Sequence, residues 1–99
     1  MYSINVSGYI PKKKAKEFKQ QMKQLIGQQS TELVNFSVMQ DMINEDLFQV
    51  KVQFKDKESM LSFMSSEECA IISGSFRTLG LLREKNVIEY SDLEDWKMN

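Results

Sequence analysis

The run Phe48-Gln49-Val50-Lys51-Val52-Gln53-Phe54 alternates apolar and polar residues without a break. Successive side chains of a β-strand point to opposite faces, whereas a helix brings a face round every 3.6 residues. This run therefore buries one side only as a strand. It also asks for a sheet with one covered face and one polar face. The same period recurs at the start of the chain. Tyr2, Ile4, Val6 and Ile10 share one parity, and Ser3, Asn5, Ser7 and Tyr9 share the other. Gly8, in the apolar parity, marks a bulge or a close approach by another element. From Glu32 to Met42 the alternation returns, with Val34, Phe36 and Val38 against Asn35, Ser37, Met39 and Asp41. Asn44-Glu45-Asp46 is turn chemistry, so this strand and the Phe48–Phe54 strand are expected to form an antiparallel hairpin.

Between the strands the period changes to that of a helix. Pro11 ends the first strand and suits a first helical turn, where its missing N–H costs nothing. From Lys12 to Gln28, Ala15, Phe18, Met22, Leu25 and Ile26 trace one stripe, and Gly27 is a stop signal. Asp56 can cap a second helical region with Met60, Leu61, Phe63 and Met64 on its apolar face. Ser65 and Glu68 match a capping box that opens a new helix through Cys69, Ile72, Phe76 and Leu79, with Gly80 at the C′ position. Asn86 to Leu93 reads as a last strand and Glu94 to Asn99 as a polar tail carrying Trp96. The order β-α-β-β-α-β predicts an α+β, ferredoxin-like domain over residues 1–99. Its four-stranded antiparallel sheet should carry helices on one face.

Composition mostly excludes. There is no histidine and one cysteine, Cys69, so histidine-based nucleophilic machinery, histidine-ligated zinc or haem and thiolate clusters are all ruled out. The net charge is −1, which makes no case for a nucleic-acid partner. No apolar run nears the ~20 residues of a membrane span, so no membrane partner is expected. The alternating N-terminal stretch has no basic region of the signal-peptide kind. With the single cysteine, this points to a cytoplasmic protein.

Three stretches carry a family likeness. They are INVSGYIPKKKAKEFKQQMKQL, then NFSVMQDMINEDLFQVKVQFKDKESM, then FMSSEECAIISGSFRTLG followed by NVIEYSDL. Together they resemble the antibiotic biosynthesis monooxygenase-like (ABM) domain of the dimeric α+β barrel superfamily. The resemblance implies a homodimeric α/β barrel and a pocket between helices and sheet for a small aromatic or quinol-like ligand. It also implies oxygenation without a cofactor. The sequence departs from the family at Phe54, where members often carry tryptophan, and at Phe63 or Met64, where many carry histidine. Asn5 stands where the haem-degrading branch uses an asparagine, but the axial histidine of that branch has no counterpart.

The candidate ligand-binding residues are Asn5, Tyr9, Asn35, Phe54 and Phe63; no catalytic residue is assigned. Each has two readings. The aromatics line a flat apolar cavity or simply fill the core. Asn5, Asn35, Ser37 and Gln49 orient a ligand or sit in water or at an interface. Asp41 is the best-placed carboxylate for accepting a proton. Lys12, Lys13, Lys14, Lys16, Lys19 and Lys23 crowd one helix, against the sense of its dipole. They either bind an anion or an acidic partner, or form a solvated face. Cys69 is expected in the core. The predicted last strand, Val87 to Leu93, holds neither proline nor lysine, and an edge so unprotected invites a partner strand. The function expected is thus a small-molecule domain with a monooxygenase-like pocket, or a non-catalytic ligand- or partner-binding dimer that has lost the reactive residues. No cofactor is expected. The purified protein should bind neither haem nor a transition metal tightly. A stoichiometric Soret band on haem titration, lost on changing one side chain, would contradict this.

Overall fold

The computed structural model describes residues 2–27 and 33–89. The elements are β1 (Tyr2–Tyr9), a 3₁₀ turn (Lys12–Lys14) running into α1 (Ala15–Gly27), β2 (Asn35–Gln40), β3 (Leu47–Phe54), α2 (Lys57–Met64), α3 (Glu67–Leu79) and β4 (Leu81–Glu89). The strands form one sheet in the order β2-β3-β1-β4, and every pair is antiparallel. This is the ferredoxin-like α+β arrangement. Among the described residues no helix is long and apolar enough to cross a membrane.

The register follows from the alternation. Ile4 pairs with Val52 and Val6 with Val50, while Phe36 and Val38 of β2 pair with Val52 and Val50. The apolar parity therefore forms a continuous carpet. Phe48, Val50, Val52 and Phe54 are buried under the helices, while Leu47, Gln49, Lys51 and Gln53 face the other way and stay half-buried. Phe18, Met22 and Leu25 of α1, Met60 and Phe63 of α2, and Cys69, Ile72 and Phe76 of α3 complete the core.

Several boundaries differ from the sequence reading, each for a local reason. Asp41 and Met42 belong to the hairpin loop rather than to β2. The Asp41 carboxylate accepts from the backbone N–H groups of Ile43 (2.7 Å) and Asn44 (2.9 Å), which turns the chain. The cap of α3 is Ser66, whose hydroxyl accepts from Cys69 N–H. Ser65 instead closes α2, its hydroxyl donating to the carbonyls of Leu61 and Ser62. β4 starts at Leu81, five residues before the expected Asn86. The run Arg83-Glu84-Lys85 hid it, being charged at successive positions. Such charges suit an exposed edge, where they discourage open-ended pairing. The edge-pairing argument built on a last strand without proline or lysine therefore fails for β4, which contains Lys85. Gln28, Glu32, Tyr90, Leu93 and Trp96 lie outside the described residues.

Gly80 also has a reason other than the one expected. Its φ of −161° is extended, not left-handed. What it provides is space, since a Cβ there would overlap the Tyr9 carbonyl. Gly8 faces the same joint, and a Cβ there would come within 2.6 Å of Phe76 Cδ1 and 2.5 Å of the Leu81 carbonyl. The β1–β4 register shifts between Ser7 and Gly8, where the chain leaves α3 and enters β4. Gly74, inside α3, would meet nothing within 4 Å. Gly80→Ala should therefore cost about 1–3 kcal/mol as overpacking, and Gly74→Ala should gain about 0.5–1 kcal/mol from helix propensity. Urea unfolding of both variants checks the pair. A Gly80→Ala midpoint at or above the parent's would contradict the joint as described.

Candidate functional site

The residues of α1 divide by angle. At roughly 100° per residue, Phe18, Met22 and Leu25 point into the core, and Gln21 points toward α3. The Gln21 side-chain oxygen accepts a 2.6 Å hydrogen bond from the Ser75 hydroxyl. Phe18 lies against Phe48, with ring centroids 5.3 Å apart, and against Phe76 at 4.9 Å. α1 is thus fixed toward β3 and α3. Its remaining flank, with Lys16, Lys19, Lys23 and Ile26, turns toward the edge strand β2, and nothing among the described residues fills the space between.

The result is a groove of about 680 Å³ on the helix side of the sheet. Met22, Ile26, Val38 and Phe48 give it an apolar floor, and Met39 and Gln40 border it along β2. Lys16, Lys19, Gln20 and Lys23 form its outer wall. The Lys19 ammonium stands 5.9 Å from the centre of the Phe48 ring, within reach of a cation–π attraction. The volume is in the range of small-molecule sites, and the mix of apolar floor and few polar groups is typical of them. None of the lining residues is a carboxylate.

The five candidate residues are not brought together. Phe54 and Phe63 are fully buried and pack on each other, with ring centroids 5.3 Å apart, on the helix side beneath α2. Asn5, Tyr9 and Asn35 lie on the opposite, open face. Asn35 donates from Nδ2 to Ser37 Oγ (3.3 Å) and to Gln53 Oε1 (3.2 Å). Asn5 sits between Lys51 and Asn86, and its buried Oδ1 has no hydrogen-bond partner among the described residues. Beside it a shallower depression of about 240 Å³ is lined by Asn5, Ser7, Leu47, Gln49, Arg83, Glu84 and Asn86. Asn86 Nδ2 donates to Glu84 Oε1 at 2.8 Å there.

Asp41 does not fill the role its parity suggested. It is exposed at the hairpin, and the two backbone N–H groups it accepts from hold its carboxyl below the usual carboxylate range. Cys69 is buried, and among the described residues no group of three or more histidine, cysteine, aspartate or glutamate side chains could hold a metal. The groove itself was not assembled from the sequence. Lys16, Lys19 and Lys23 were noted as charge, and their i, i+3, i+7 spacing could have placed them on one flank. That Val38 and Phe48 lie opposite that flank depends on where α1 is pinned.

With this geometry the protein is a ferredoxin-like α+β chain with a groove between helix and sheet, and its fold is that of the antibiotic biosynthesis monooxygenase domain. Solved structures share this fold over nearly the whole chain. One reported as an antibiotic biosynthesis monooxygenase candidate from Deinococcus radiodurans superposes with a TM-score of 0.72 at 10% identity, covering 93% of this chain and 92% of that one. SnoaB, a cofactor-independent oxygenase from Streptomyces nogalater crystallised as a single-site mutant, gives 0.69 at 10% identity, covering 92% and 93%. A conserved protein from Methanosarcina mazei Go1 gives 0.65 at 19% identity, covering 90% and 89%. No protein-family model and no curated protein matches the sequence.

The depressed pKa of Asp41, held down by the backbone N–H groups of Asn44 and Ile43, sets the sign of a pH effect. A carboxyl depressed in the folded state adds stability above its unfolded value and loses it as pH falls through the folded value. Asp41→Ala should lower the urea midpoint at pH 7, and its difference from the parent should shrink as the pH falls below the usual carboxylate range. A difference that stays constant into acid would contradict the turn's role.

Proposed function

We propose that the chain is a small-molecule-binding domain whose ligand lies in the groove between α1 and β2–β3, and that it works as a homodimer of the α/β-barrel kind. The observation that carries the reading is the groove itself, with its apolar floor of Met22, Ile26, Val38 and Phe48. A flat aromatic or quinol-like molecule suits it, because a ring system loses little conformational freedom when it is laid on such a floor. The fold likeness supports a reaction of the oxygenase type. Without a cofactor, the substrate must itself supply the electrons, from an anion formed when a quinol or enolisable ring loses a proton. The chain's part is to bind the ring, exclude water from one side and stabilise the anion.

A second reading, binding without chemistry, is favoured by one observation. The groove has no carboxylate among its lining residues, and Asp41 is engaged in its own turn. A lysine amine or solvent would have to take the proton. The two readings separate in one assay, in which oxygen uptake by naphthoquinols is followed with and without protein, alongside a binding titration. Catalysis predicts faster uptake in proportion to protein, reduced about tenfold or more by Val38→Trp, whose bulk fills the groove without adding a titratable group. Binding alone predicts saturation with no added uptake. Absence of binding would contradict both.

The homodimer is supported by the open face of the sheet, over which no described element lies, and by the superfamily resemblance. Two such faces opposed around Asn5 would bury more than ~1,000 Å². Sedimentation equilibrium at micromolar concentration should give twice the chain mass, and Asn5→Arg, beside Lys51, should return it to one chain. A parent mass near one chain would contradict the dimer.

A further inference from the structure

We infer that the ligand of the α1–β2 groove is an amphipathic anion, a fused-ring molecule with one acidic group, and that Lys16, Lys19 and Lys23 select it. The inference rests on the groove being the binding site and adds the charge of what it takes. Three observations carry it. All three lysines are exposed, on one flank of α1, and line the same groove. Among the described residues none of them has a carboxylate within ion-pair distance; the ion pair that α1 does make joins Lys14 to Glu17 at 3.9 Å. Glu17 is absent from the lining. Finally, Lys19 leans over the Phe48 ring at the floor, so a positive charge lies at the boundary between the apolar and polar parts of the groove.

Helix stability does not account for this arrangement. Lys16 and Lys19 are three residues apart and Lys19 and Lys23 four, and like charges at those spacings repel. Six lysines with one glutamate in the first thirty residues also leave α1 with little internal compensation. A bound anion removes the repulsion and gains from three charges at once. Its ring system lies over Met22, Val38 and Phe48, and its acidic group sits at the lysine wall, where the low polarity of the floor strengthens the attraction. A cation of the same shape is rejected by the same wall.

The test compares two dyes with nearly the same rings, anilinonaphthalene sulfonate and the uncharged phenylnaphthylamine, by fluorescence titration at low salt. The parent should bind the sulfonate about tenfold more tightly than the neutral dye. The triple variant K16Q/K19Q/K23Q should lose about tenfold for the sulfonate and leave the neutral dye unchanged, while the triple arginine variant retains both affinities. Unaltered far-ultraviolet circular dichroism excludes a folding effect. Equal affinity of the parent for both dyes, unmoved by the glutamine substitutions, would overturn the charge selection and leave the groove reading standing. Binding of both dyes indifferent to Val38→Trp, which fills the groove without changing its charge, would show that the dyes sit elsewhere and overturn the groove reading, with this inference.

Discussion

Phe18 decides where α1 lies. Its ring is fully buried between Phe48 of β3 and Phe76 of α3, and tilted aromatic contacts of this kind add about 0.5–1.5 kcal/mol each beyond the area they bury. The Ser75–Gln21 hydrogen bond fixes the same helix from the α3 side. Pinned toward the middle of the sheet, α1 cannot also cover β2. Phe36 and Val38 remain half-buried, and the space beside them is the groove. The groove is thus the part of the helix side that the Phe18–Phe48–Phe76 cluster leaves uncovered.

The sheet's two faces differ in chemistry for the same reason that makes them legible. Alternation puts Val50, Val52 and Phe54 under the helices and Gln49, Lys51 and Gln53 on the open side. The proposed ligand binding in the groove and the proposed association through the open face therefore draw on different residues. A substitution such as one at Asn5 bears on the second without touching the first. The joint where Gly80 passes the Tyr9 carbonyl ties the end of α3 to β1, so β4 can begin at once and extend the sheet on the side away from the groove.

The element order and the strand parities were readable because each rests on a local period. Asp56 reads as a cap and is one, its carboxylate accepting from Ser59 N–H at 2.8 Å. Features that depend on a neighbour were not readable. Ser65 and Ser66 are equally good caps by type, and which one opens α3 depends on how α2 ends. The first residues of β4, Leu81 to Lys85, escaped detection because an exposed edge tolerates charge at successive positions and shows no alternation. The candidate site divided for a similar reason. Phe54 and Phe63 were joined to Asn5, Tyr9 and Asn35 by likeness to a family, whereas parity already sends Phe54 to one face and Asn5 to the other. The lysines were visible as charge, but their partners across the groove are set by the position of α1, which is a tertiary fact.

The proposed site for a flat aromatic ligand is the space between α1 and β2. Methionine methyl groups report on it directly, since Met22 and Met39 line the groove while Met60 is buried in the core under α2. In a protein labelled with carbon-13 at the methionine methyls, titration with a fused-ring ligand should move the Met22 and Met39 resonances together, by the ring current of the bound molecule. Met60 should stay in place. Saturable shifts at Met60 with Met22 and Met39 unmoved would place the ligand elsewhere and contradict the account.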